Sequence, residues 1–211
     1  MAPGHLLFSL HIPTLTILIL LLSQTGNCCF TRIFCFGDSI SDTGNYLKSI
    51  GDGYHPIRYL PYGETYFGRP TGRFCDGRLI LDFIAEAYGL PFIPAYLSGN
   101  SIEDHLHGAN FAVGGATALN NSYFESKGIE ASWTDYSLGT QLEWFKKLLP
   151  SILEESGCGS SVMRNALFVV GEIGGNDYNH PLFQGRTLDE VRTFVPDVIR
   201  TISLTIHGGM F

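Results

Sequence analysis

The chain has 211 residues, 45% hydrophobic and 16% charged, a balance that suits one globular domain and excludes an intrinsically disordered polypeptide. Its formal charge of -7 and the lack of any Lys/Arg run exclude electrostatic attraction to nucleic acid or to an anionic membrane surface, so no nucleic-acid partner is expected.

Residues 15–22 are apolar apart from Thr16, and no Lys or Arg precedes Arg32. A helix needs roughly 20 apolar residues to cross a bilayer core of about 30 Å, so this run is too short to span and matches the centre of a secretory signal peptide. A membrane anchor is the alternative. Residues 1–28 are read as the signal, with cleavage between Gly26 and Phe30, and residues 29–211 as a secreted domain with no integral membrane segment. Cys28 and Cys29 flank the cleavage region; Cys35, Cys75 and Cys158 remain, an odd number that leaves a thiol unpaired. No Cys-x-x-Cys pair or His cluster has metal-ligand spacing, so neither a metal nor a cofactor is expected. Asn120-Asn121-Ser122 is a glycosylation acceptor if the chain enters the secretory pathway.

Along the chain, Ile33-Phe34-Cys35-Phe36 predicts a buried strand, with Cys35 inside it, that breaks sharply into Gly37-Asp38-Ser39. Residues 51–72, rich in Gly, Pro and Tyr, read as a long loop whose Tyr54, Tyr59, Tyr62, Tyr66 and Phe67 either wall a substrate or pin the loop to the core. A helix capped by Asp76 is predicted to follow, with Asp82 and Glu86 on its polar face and Gly89 and Pro91 as its stop. Residues 108–113 predict a second strand running into Gly114-Gly115-Ala116-Thr117, and residues 120–136 a surface loop. Leu138, Leu142, Phe145, Leu148 and Leu149 recur at helical spacing until Pro150, which is expected to end the helix. Residues 166–170 are the clearest buried strand and lead into Gly171-Glu172-Ile173-Gly174-Gly175-Asn176-Asp177. Thr187-Leu188-Asp189-Glu190 is a capping box opening a last helix, kinked by Pro196, with Leu188, Val191, Phe194, Val195, Val198, Ile199 and Ile202 on one face. Alternating strands and helices predict an α/β fold with a parallel sheet and right-handed crossovers.

Parallel neighbouring strands would put the turns carrying Ser39, Gly114 and Asn176 on one rim, where open α/β sheets bind ligands. A bare Gly-Asp-Ser is compatible with a plain polar turn; neither a P-loop lysine nor the second glycine of a Gly-x-Ser-x-Gly elbow is present. A serine nucleophile needs amide donors aimed at the developing oxyanion, which a glycine N–H and an asparagine amide can supply.

The blocks Phe-Gly-Asp-Ser-Ile-Ser-Asp-Thr-Gly-Asn (36–45), Gly-Ala-Asn-Phe-Ala-Val-Gly-Gly-Ala-Thr (108–117) and Gly-Gly-Asn-Asp-Tyr (174–178) resemble, in order, the first three blocks of plant GDSL esterase/lipases of the SGNH hydrolase superfamily. The look is closest to the branch that includes acetylajmalan and sinapine esterases. Ile40 replaces the usual leucine. The resemblance implies a flavodoxin-like three-layer parallel sheet of SGNH hydrolase type with its carboxyl-terminal part missing. It further implies Ser39 as nucleophile, an oxyanion hole of the Ser39 N–H, Gly114 and Asn176, and a small-molecule or lipid ester as substrate. The family takes its general base from a late Asp-x-x-His block, which these 211 residues do not contain at the corresponding place. Asp104 and His107 have that spacing but precede the second strand, a strand length of ~17–20 Å from the rim. His180 is nearer the rim; His55 and His207 read as loop and surface residues. Two functions stay open: a secreted serine esterase, inactive and poorly soluble in this form, and a non-catalytic secreted product that keeps the ligand-facing rim. Oligomeric state and acyl group are not legible.

Overall fold

The computed structural model describes residues 30–130, 134–155 and 159–209. The signal-peptide reading, Cys28, Cys29 and Cys158 lie outside them. The central strand β1 (Arg32–Phe36) pairs in parallel with β2 (Gly108–Asn110) on one side and β3 (Ala166–Val170) on the other, giving the order β2-β1-β3. Arg32 to Phe36 lie opposite Ala166 to Val170, and Ile33 to Cys35 opposite Gly108 to Asn110.

The two-residue period of β1 divides the core into layers. Ile33 and Cys35 point to one face, where they pack with Leu81 and Ala85 of α2 (Ile80–Ala87). Phe34 and Phe36 point to the other and meet Leu138, Phe145 and Ile152 of α4 (Leu138–Glu155). The Phe34 and Phe145 rings touch edge to face at 5.1 Å. One crossover helix on each face, with the chain moving to opposite sides of β1, makes the carboxyl end of β1 the place where the strand order reverses; ligands bind at such points.

Several predicted elements differ in detail. The second strand stops at Asn110, because the Asn110 side chain turns inward and bonds the loop after β1; the chain still follows β1 through Phe111 N–H to the Cys35 carbonyl (2.7 Å). Asp76 does not cap α2: Asp82 folds back to accept the Leu79 N–H at 2.9 Å. Asp82 is therefore not on a polar face but fully buried, in a two-pronged ion pair with Arg73 at 2.8 and 2.7 Å. Pro150 does not end α4. It sits on the solvent side, where the Lys146 carbonyl it leaves unpaired can meet water, while Ile152 continues the buried stripe.

The stretch predicted as a surface loop contains α3 (Asn121–Glu125), whose Phe124 is fully buried against Phe194 and Val198, with Ile129 beside it. Its cap is Asn120, exposed and first in the acceptor-type sequence, whose Oδ1 accepts the Tyr123 N–H at 3.1 Å. The last predicted helix is two: α7 (Leu188–Arg192) and α8 (Val195–Gly209). Thr187 caps α7 as expected, but Glu190 pairs with Arg186 instead of closing the box. Pro196 does not kink a helix; it lies in the first turn of α8, where its missing N–H has no partner to lose. The short helices α1 (Asn45–Ser49), α5 (Gly159–Arg164) and α6 (Gly175–Phe183) complete the described structure. Among the described residues no helix is long and apolar enough to cross a membrane, and none forms a metal-binding cluster.

Candidate active site

The turn after β1 is held from three directions. Gly37 is clamped by the Gln141 side chain of α4, which accepts the Gly37 N–H at 2.9 Å and donates to its carbonyl at 2.8 Å. Asp42 is fully buried and accepts four backbone N–H groups: Gly44, Asn45 and Tyr46 from its own turn at 2.7, 2.6 and 2.9 Å, and Gly114 from the turn after β2 at 2.8 Å. Asn45 donates to the Asn110 and Ala112 carbonyls at 2.7 and 2.9 Å. The first two blocks are thus tied together without a covalent bond.

The third block enters on α6, which sequence periodicity missed because Gly174 and Pro181 bracket it. Its Asp177 accepts the Ala118 and Leu119 N–H groups at 2.7 and 2.9 Å. Asn176 Nδ2 donates to the Ala116 carbonyl at 2.9 Å and to Asp38 Oδ2 at 3.1 Å, and His180 Nε2 lies 3.3 Å from the Gly115 carbonyl. A helical step of four residues brings Asn176 and His180 onto one face over the same loop.

Together these turns enclose a cleft of about 140 Å³ lined by Ser39, Tyr46, Phe74, Gly114, Gly115, Asn176, His180 and Phe183. The predicted trio of Ser39, Gly114 and Asn176 is brought together, and Ser39 is half-buried at its edge. The Gly114 N–H is taken by Asp42, so it is not free for an oxyanion. Among the described residues the Ser39 and Gly115 N–H groups have no protein acceptor, which makes Gly115 the glycine amide available beside Ser39. Gly114 serves packing: a Cβ there would lie 2.3 Å from the Phe74 ring. A larger hollow of about 470 Å³ between residues 96–102 and the 147–151 turn of α4 holds none of the predicted residues and lies away from this chemistry.

The aromatic loop does not wall the cleft. Tyr54 and Tyr59 stack on each other at 5.4 Å in solvent, Arg78 covers Tyr66, and Arg73 covers Phe67. Tyr46, Phe74 and Phe183 supply the lining, with Tyr62 in contact with Phe74 behind it. His107 reaches the Thr31 carbonyl beside the start of β1, and Asp104 accepts the Asn100 and Ser101 N–H groups, so that pair stands at the far end of the sheet.

The electrostatics of the cleft are unusual for a loop this polar. Burial, then a hydrogen bond that the protonated carboxyl donates to Glu172, pushes the Asp38 carboxyl up to about 8. Burial raises Asp42 and Asp177 to about 6, their N–H donors holding both lower than burial alone would. Burial lowers His180, so its ring is neutral at pH 7. Cys35, enclosed in the sheet as expected, is raised to about 12 and is inert as a nucleophile.

The sequence pattern of the GDSL-like Lipase/Acylhydrolase family matches residues 33–208, which include all three blocks. The chain belongs to this family. Curated relatives include two GDSL esterase/lipases of Arabidopsis thaliana, 47% identical over 96% of the chain and 52% identical over 82% of it, matching 51% and 48% of those proteins. A third is the sinapine esterase of Brassica napus, 44% identical over 89% of the chain and 48% of that protein. The expected likeness to plant GDSL esterase/lipases is borne out, and the parallel three-stranded sheet agrees with the α/β fold expected of a GDSL-like domain. This domain spans about half the length of the curated relatives it matches.

Proposed function

We propose that the chain carries the Ser39 nucleophile of an exported enzyme that cleaves carboxylic esters through an acyl-enzyme, and that these 211 residues alone are inactive. The observation that carries this reading is the convergence of three separate blocks on one small cleft in which Ser39 stands beside two free amide N–H groups and the Asn176 amide. Ser39 Oγ attacks the ester carbonyl, and the oxyanion is received by the N–H groups of Ser39 and Gly115 and by Asn176 Nδ2. The carbonyl's apolar substituent lies against Tyr46, Phe74 and Phe183, which suits a small-molecule or lipid ester with a flat or aliphatic group. A general base takes the Ser39 proton and returns it to the leaving alcohol. The family resemblance implies an Asp-x-x-His segment as the source of that base. Export rests on the apolar run at residues 15–22, and it makes the exposed Asn120 a glycan site.

A second reading is a secreted ligand-binding chain without turnover. It is favoured by the His180 ring nitrogen facing the Gly115 carbonyl and by the Asp104/His107 pair lying at the opposite end of the sheet. Residues 30–211 expressed with and without a family Asp-x-x-His segment separate the two. The extended form hydrolyses 1-naphthyl acetate and the short form has little or no activity; equal activity in both would place the base inside these residues. In the extended form Ser39→Ala abolishes turnover, and Asn176→Ala lowers kcat about 10²- to 10³-fold. Turnover surviving Ser39→Ala would remove the nucleophile assignment.

A further inference from the structure

Asn176 Nδ2 carries two hydrogens, and in the resting structure both have acceptors, the Ala116 carbonyl and Asp38 Oδ2. For the amide to meet an oxyanion over Ser39, the hydrogen held by Asp38 is the one that has to be shared. Asp38 sits next to Ser39 in the chain and is only 2% exposed. Its Oδ1 accepts the Ile40 N–H at 3.0 Å, and its own N–H donates to the Glu172 carbonyl at 3.0 Å. The Glu172 carboxylate bends back over the start of α6, where Oε1 accepts the Gly175 N–H at 3.1 Å, and it hydrogen-bonds the Asp38 carboxyl. Burial first, and then the contact with Glu172, favour the neutral form of the Asp38 carboxyl.

We propose that Asp38, backed by Glu172, forms with it a positioning pair for Asn176, releasing its amide toward the oxyanion while the Asp38 carboxyl is neutral and locking it when that carboxyl ionises. The inference rests on the ester-hydrolase reading for its consequence, though not for its geometry. A neutral carboxyl is a weak acceptor and yields the Asn176 hydrogen; a carboxylate is a strong one and keeps it. The second negative charge would also stand beside the developing oxyanion and oppose it. The groups facing Asp38 are Glu172 from the segment after β3 and Asp177 from α6, both acidic; His180 of α6 shares the cleft, and Asp42 in the same loop is occupied by its four N–H donors. None of the groups acting on Asp38 is cationic, in keeping with a carboxyl held at about 8.

The experiment follows the side-chain amide of Asn176 by 15N-resolved NMR in the chain from pH 6 to 9.5, in the parent and in Glu172→Gln. The parent shows one step centred near pH 8, and the variant, which keeps the burial of Asp38 but loses the second acid, shows the step at lower pH. A parent without a step, or a variant with the same step, overturns the proposal. Glu172 is exposed, so the variant is expected to fold, and Glu172→Ala is the second variant if it does not. In the form that hydrolyses 1-naphthyl acetate, kcat falls about tenfold per pH unit above the step at unchanged KM, and Glu172→Gln moves that limb to lower pH. Ser39→Ala separates the two readings. Hydrolysis lost with the step intact supports both; a step without any Ser39-dependent hydrolysis sinks the esterase reading alone, and Ser39-dependent hydrolysis without a step sinks the positioning pair alone.

Discussion

Asp38 and Asp42 stand four residues apart in one loop, 2% and 0% exposed, and the same burial is answered in opposite ways. Asp42 is saturated by four backbone N–H groups, one of them from the second block. Asp38 has one backbone N–H, the amide of Asn176 and another acid. Fixed dipoles hold a carboxylate in place and make it part of the scaffold, whereas a side-chain amide and a neighbouring acid leave a carboxyl adjustable. A loop that must place Ser39 to a fraction of an ångström and also let Asn176 move has use for one of each.

The largest test of that contrast is Asp42→Asn. Asparagine keeps one acceptor oxygen and turns an NH2 group toward two backbone N–H donors, stranding buried donors at about 1–3 kcal/mol each. A loss of about 3 kcal/mol in urea unfolding is expected, a large share of a domain's stability. A loss below about 1 kcal/mol would put the two acids on one footing. Asp38→Asn should do the reverse: a stability change within about 1 kcal/mol, with kcat of the hydrolysing form kept at neutral pH and its fall above about pH 8 removed, since asparagine cannot ionise. If its stability loss matched that of Asp42→Asn, Asp38 would be scaffold too.

What was legible in the sequence follows the same division. Strand cores announced themselves through apolar runs ending in glycine, and Ser39 and Asn176 through the turns that follow. Side chains that bond backbone across the fold left little trace. Gln141 shows as a polar residue inside the apolar stripe of Leu138 and Phe145, a signal that could have been read; Asp42 and Asn110 show only as ordinary loop polars. Gly115 could not be chosen over Gly114 from composition, because the choice depends on which N–H Asp42 takes. Helix α6 was hidden by Gly174 and Pro181, and α3 by a short polar stretch whose one deep anchor is Phe124. Local pattern carries elements; long-range polar contacts carry the site.

The smallest expected effect is a pH dependence of folding. Unfolded carboxylates release their protons near pH 4, while folded Asp38 keeps one to about 8 and Asp42 and Asp177 keep theirs to about 6. Folding therefore binds protons across these windows, and stability falls as pH rises through them, the opposite of a salt-bridged aspartate. Thermal unfolding should show Tm dropping between pH 4 and 6, where three groups act, and dropping more gently from 6 to 8, where Asp38 acts alone. Partial exposure of the Asp38–Glu172 pair screens the second effect to a few degrees at most. Glu172→Gln should make the pH 6–8 segment shallower, because Glu172 is the second cause of the Asp38 shift after burial, and change the pH 4–6 segment less, because Asp42 and Asp177 owe their shifts mainly to burial. A Tm that rose between pH 6 and 8 in the parent would mean that Asp38 is ionised in the folded chain, and the contrast between the two acids would then reduce to their partners alone.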